Sequence, residues 1–126
     1  MSNENSKARR VLIVEDEPLL ALSLEDMLTE LGYLVIGMAT RIENALTLAE
    51  SSEFEFAILD INLAGSNTFP VADILRKRRK PFIFTIGYGA QGLGDAYRGT
   101  HFLTKPFGLR ELEKIVTKAL TAAMPY

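Results

Sequence analysis

The chain contains no cysteine, no tryptophan and a single histidine, His101. Without thiols there are neither disulfides nor thiolate metal centres, and carboxylates and carbonyls are left as the abundant metal ligands. This is compatible with a reducing cytoplasm, the expected location. Charge of one sign is also lacking: 14 basic and 16 acidic residues give a net charge of −2, so no global field draws the chain to nucleic acid or to anionic lipid. No apolar run approaches the roughly 20 residues that span a bilayer. The N-terminal MSNENSKARR lacks the apolar centre of a signal peptide. Neither a membrane nor nucleic acid is therefore an expected partner. The one basic run, RKRRK at 76–80, has no interleaved aromatics and reads as a solvated helix end that complements the helix dipole.

What is present is the material of one compact domain: 126 residues, 48% hydrophobic and 24% charged. Residues 1–9 read as a flexible lead-in and residues 10–123 as the domain. Short apolar runs at 11–15, 33–38, 54–59, 82–86 and 101–104 predict five strands. The continuous apolar character of VLIV and FAIL suits strands buried on both faces. Between them lie segments of helical period. Pro18 suits a first helical position ahead of Leu20, Leu24, Leu28 and Leu31, and Gly32 suits the helix end. Thr40 and Glu43 have the spacing of a capping box. Pro70 opens a short helix through Ile74 and Leu75, and 109–123 forms the last helix. Alternation of strands and helices predicts an α/β fold, a flavodoxin-like doubly wound five-stranded parallel sheet in the order 2-1-3-4-5. The segment 87–99, GYGAQGLGDAYRG, holds five glycines, so a helix there is expected to be short or disordered.

In such a fold, ligands sit beyond the C-terminal ends of the strands, where strand order reverses. Glu15 and Asp16 follow strand one and Asp60 follows strand three, so that order brings three carboxylates together. Lys105, after strand five, reaches the same edge. Each residue alone has an ordinary explanation: acids favour a helix N-terminus, Glu17 suits an N-cap, and Asp60 and Asn62 suit a turn. Four such residues on one edge, each following an apolar strand, are better explained as a site for Mg²⁺ and a phosphoryl group. Clustered carboxylates need a cation or a proton, and an all-oxygen site suits Mg²⁺.

VLIVEDEP, FAILDINLAG and FLTKPF, in that order and spacing, resemble the receiver domain of bacterial response regulators. The resemblance implies that Asp60 accepts a phosphoryl group from a histidine kinase. It implies that Asp16 and Asp60 bind Mg²⁺ through their carboxylates, with Glu15 helping through water and Asn62 through its backbone carbonyl, that Lys105 contacts the phosphoryl oxygen, and that the bond to Pro106 is cis. It further implies a stand-alone receiver in a phosphorelay, not a turnover enzyme, whose output is an unknown downstream protein or the draining of phosphoryl groups.

The chain departs from the ordinary receiver at the switch. PFIFTIGYG (81–89) resembles the PFxFATGY variant associated with HWE histidine kinases, with Thr85 for Ala and Ile86 for Thr. In the resembled family the fourth strand ends in Thr or Ser, whose hydroxyl swings toward the phosphoryl group while an aromatic residue on strand five follows it; Ile86 occupies that hydroxyl position. Strand alternation therefore aims Thr85 away from the site, and only a bulge or register shift would bring it back. Phe102 holds the aromatic position without a hydroxyl, and Tyr88 either reaches over the site or packs locally. This substitution motivates the rival reading of a phosphorylation-independent adaptor. A phosphohydrolase is disfavoured because Asn62 stands where a second acid belongs. A flavin protein is disfavoured because acids crowd the phosphate-loop position.

Overall fold

The structure, a computed structural model, describes residues 8–87 and 99–122. Five parallel strands form the main sheet: β1 Arg10–Val14, β2 Leu34–Ala39, β3 Phe56–Asp60, β4 Phe82–Ile86 and β5 His101–Thr104. They lie in the spatial order β2-β1-β3-β4-β5, as the sequence predicts. Helices α1 (Pro18–Glu30), α2 (Ile42–Ser51), α3 (Phe69–Lys77) and α4 (Leu109–Ala122) cover the two faces. The helix expected between β4 and β5, together with Tyr88, falls within 88–98, outside the described residues.

Side-chain alternation along each strand splits the apolar residues into two cores. Leu12, Val14, Ala57, Leu59, Phe84 and Ile86 pack with Ala45 and Ala49 of α2 and Val71 and Leu75 of α3. Val11, Ile13, Phe56, Ile58 and Ile83 pack with Leu24 and Leu28 of α1 and Leu112 and Val116 of α4. Strands β1 and β3 are central and carry apolar side chains on both faces, which is why their sequences show no polar alternation.

Several local expectations need correction. The N-cap of α2 is Arg41, not Thr40, and no side chain caps it. Glu43 thus stands at N2 rather than N3, and the reciprocal bonds of a capping box are out of register. Glu17 is the N-cap of α1 but makes no side-chain cap. The basic run is also more than a solvated end. Arg78 donates to the carbonyls of Ala49 (2.6 Å) and Ser52 (3.0 Å), and its guanidinium lies 5.3 Å from the Phe54 ring centroid. It thereby closes the C-terminus of α2, whose last carbonyls have no partner within the helix.

Candidate functional site

The site lies where the central strands end. Glu15 is the residue after β1 and Asp60 is the last of β3, and both are buried, at 3% and 7% exposure. The Glu15 N–H donates to the Ala39 carbonyl of β2 at 3.0 Å, so the chain stays in the sheet until Asp16 turns out of it. Carboxylate oxygens of Glu15, Asp16 and Asp60 all lie within 4.8 Å of one another. Lys105, after β5, reaches across β4. Its Nζ lies 2.9 Å from Asp60 Oδ2 and 3.1 Å from Glu15 Oε1. The Lys105–Pro106 peptide is cis, and the Lys105 N–H donates to the Ile86 carbonyl at 2.8 Å.

Backbone donors complete the carboxylates. The Glu17 N–H donates to Glu15 Oε2 (3.0 Å) and the Asn62 N–H to Asp60 Oδ1 (3.1 Å). Burial, followed by the charge of Asp60, pushes the Glu15 carboxyl above the usual carboxylate range, against the Glu17 N–H and Lys105. Burial acts to lower Lys105, but its bonds and attraction to Asp60 and Glu15 outweigh that and hold the ammonium above its ordinary value. Three oxygen donors of mixed burial with an ammonium alongside fit a small hard cation.

The loop after β3 is a tight antiparallel hairpin, Asn62–Leu63 against Ser66–Asn67. Its two turn residues, Ala64 and Gly65, have φ of 50° and 90°, the combination a twisted two-residue hairpin requires. Asn62 Oδ1 accepts the Gly65 N–H at 3.1 Å, which commits its side chain to the turn. Only its backbone carbonyl is then a candidate ligand.

Two residues of the site were not singled out from the sequence in the part they play. Thr68 is fully buried, and its hydroxyl donates to the Asp60 carbonyl at 2.7 Å. The sequence signal was a threonine ahead of Phe69–Pro70, which reads as an N-cap. Thr68 does occupy the N-cap of α3, yet its hydroxyl holds Asp60 and leaves the helix uncapped. Thr85 faces away from Ile86, as alternation requires, but not away from the site. It lines a cavity of about 190 Å³ that Glu15 and Lys105 also line. Ile86 is 8% exposed and packs with the α2–α3 core, and Phe102 is 49% exposed on the edge strand β5.

Comparison with known proteins agrees with this geometry. The family model described as the response regulator receiver domain matches residues 11–117. The phyllosphere-induced regulator PhyR of Methylorubrum extorquens is 35% identical over 117 residues, covering 90% of this chain and 44% of the relative. The transcriptional regulatory protein PdtaR of Mycobacterium tuberculosis is 31% identical, covering 90% of this chain and 57% of the relative. The chain thus spans about half the length of these curated relatives. Among solved structures, SdrG from Sphingomonas melonis Fr1 superposes with a TM-score of 0.79 at 37% identity, over 94% of this chain and 98% of that one. The PhyR receiver domain of Erythrobacter litoralis gives 0.81 at 31% identity, over 94% and 95%.

Proposed function

The chain belongs to the response-regulator receiver domain family, and from that premise we propose that Asp60 is its phosphoacceptor and a histidine kinase its donor. A receiver domain serves a response regulator of a two-component system, and the relatives above are regulators by name. The observation that carries the proposal is the convergence of Lys105 on Asp60 and Glu15 from a strand two places from β3 and three from β1 in the sheet.

The chemistry suits these residues. A carboxylate oxygen of Asp60 attacks the phosphorus of a phosphohistidine. A P–O bond forms, the P–N bond breaks, and the imidazole nitrogen leaves with the electron pair. Lys105 offsets the charge gathering on the phosphoryl oxygens, and the Asn62 N–H keeps Asp60 Oδ1 oriented. Glu15, Asp16, Asp60 and the Asn62 carbonyl would hold Mg²⁺, which supplies further neutralisation of that charge. The PFIFTIGYG stretch extends the proposal to a kinase of the HWE group as donor. The output proposed is a partner protein, with draining of phosphoryl groups as the competing role. A stoichiometric phosphoacceptor of this kind is a regulator rather than a turnover enzyme.

The test is phosphorylation with Mg²⁺ and acetyl phosphate, followed by amide NMR with beryllofluoride, using Asp60→Asn as control. The proposal expects a covalent adduct in the parent and none in the control, with shifts that spread from Asp60 into β5. Shifts confined to the acids and Lys105 would favour the phosphate drain. No adduct from acetyl phosphate or from any kinase would overturn the proposal. The adaptor reading would then stand, motivated by the buried, hydroxyl-free Ile86.

A further inference from the structure

We infer that Thr85 is a positioning residue for Lys105, its buried hydroxyl holding the ammonium in place from the α1–α4 side of the sheet. The inference deepens the phosphoacceptor reading and rests on it for its functional consequence.

Thr85 pairs in register with Asp60 across β3 and β4, and its carbonyl accepts the Ile61 N–H at 3.0 Å. The two residues are thus neighbours fixed by the sheet itself. Thr85 is 2% exposed. It lines a cavity shared with Glu15 and Lys105 and with the apolar side chains of Leu24, Met27 and Phe107. Ile86 lies on the opposite face, in the other core. The hydroxyl of this strand end has therefore been moved through the sheet relative to the position expected of it, onto the face whose cavity Lys105 also lines.

Lys105 has a use for it there. An ammonium carries three N–H donors. Asp60 Oδ2 and Glu15 Oε1 take two of them. The side-chain hydroxyls lining the shared cavity belong to Thr85 and Ser23. Ser23 is exposed on α1 and its hydroxyl faces bulk water, whereas Thr85 is buried, and among the described residues no buried side-chain nitrogen or oxygen is without a partner. The cavity, at about 190 Å³, has room for a water, which takes up roughly 30 Å³ in the liquid, so a water can bridge the hydroxyl to the ammonium. A neutral acceptor at this place matters when Asp60 becomes an acyl phosphate. Lys105 must then let go of a carboxylate oxygen and follow a phosphoryl oxygen. A flexible four-carbon stem with one N–H still anchored keeps its aim during that exchange.

The test compares Thr85→Val, which keeps the shape, with Thr85→Ser, which keeps the hydroxyl. The first readout is the Lys105 Nζ and Cε resonances in Mg²⁺-free protein, which need no phosphorylation. The second is the rate of aspartyl-phosphate formation from acetyl phosphate with Mg²⁺. The valine variant is expected to shift the Lys105 resonances and slow the reaction roughly tenfold, the scale of one lost hydrogen bond to a charged group. The serine variant is expected to stay close to the parent on both. Lys105 resonances unmoved in the valine variant, or a serine variant that behaves like valine, would overturn the inference. If the parent takes up no phosphoryl group, the phosphoacceptor reading fails, while the Lys105 resonances still decide the role of Thr85.

Discussion

Thr68 offers a direct measure of how firmly the fold holds Asp60. Its hydroxyl donates to the Asp60 carbonyl at 2.7 Å, and its own N–H donates to the Ile61 carbonyl at 3.0 Å. With zero exposure, no water replaces a lost donor. Thr68→Val preserves shape and deletes only the hydroxyl, leaving a buried carbonyl short of a partner, which costs about 1–3 kcal/mol. The short bond and complete burial place the expectation at about 2 kcal/mol within that range. Thr68→Ser does the reverse, keeping the hydroxyl and losing one methyl group, at about 0.8 kcal/mol. Urea unfolding followed by far-UV circular dichroism separates them. With a slope of about 1–3 kcal/mol per M, the valine variant should lower the midpoint by roughly 1 M and the serine variant by about half of that or less. The Asp60, Ile61 and Asn62 amide resonances should move in the valine variant and stay near the parent in the serine one. A serine variant less stable than the valine variant would refute the reasoning, because packing rather than the hydrogen bond would then hold the loop.

Two further predictions follow from the backbone and from the lone histidine. Gly32, at φ +95°, has nothing within 4 Å of an added Cβ, so Gly32→Ala should cost about 1–2 kcal/mol from backbone conformation alone, read as a lower urea midpoint at unchanged slope; no loss would refute it. Burial, then the charge of Lys118, lowers the His101 imidazole below its ordinary value, with Arg76 lining the same cavity. The unfolded chain therefore binds the extra proton first. Stability from this group is complete above about pH 6.5 and is lost as pH falls through the folded-state value, so the parent should weaken relative to His101→Gln on acidification. Glu15, shifted upward, contributes with the opposite sign but is common to both proteins and cancels in the comparison; a parent that gains on His101→Gln as pH falls would refute the assignment.

Element order and strand order were legible because they rest on long-range regularities. Apolar runs of strand length alternated with helical period, and the doubly wound arrangement follows from right-handed crossovers. The convergence of Glu15, Asp16, Asp60 and Lys105 followed from strand order alone. Boundaries were less legible. Thr40 and Glu43 have capping-box spacing, yet the helix begins one residue later, because which residue leaves the extended conformation first depends on packing against the sheet. Thr68 carries an N-cap signal, and no local pattern could show that its hydroxyl turns to the Asp60 carbonyl, eight residues back. Arg78 looked like one of five interchangeable basic residues. Only the tertiary fold brings the end of α2 and the Phe54 ring within its reach.

Thr85 is the instructive middle case. Alternation correctly separated it from Ile86, and the inference that it therefore points away from the site did not follow. A site at the end of a parallel sheet is reached from both faces, because its ligands come from strand ends rather than from one surface. Lys105 makes the point: its side chain contacts Asp60 and Glu15 while lining the cavity on the α1–α4 face. Charge explains why so much is gathered there. Glu15, Asp16 and Asp60 stand against one ammonium, which leaves two formal negative charges in a site whose inner carboxylates are buried. Burial and the charge of Asp60 already drive the Glu15 carboxyl upward, so the arrangement costs stability where folding alone would select apolar strand ends. A divalent cation would cancel that excess, and the neutralised site could then accept the negative charge of a phosphoryl group. The adjacent carboxylates at the end of β1 thus cost the sheet stability, and it is the proposed cation and phosphoryl group that would account for them.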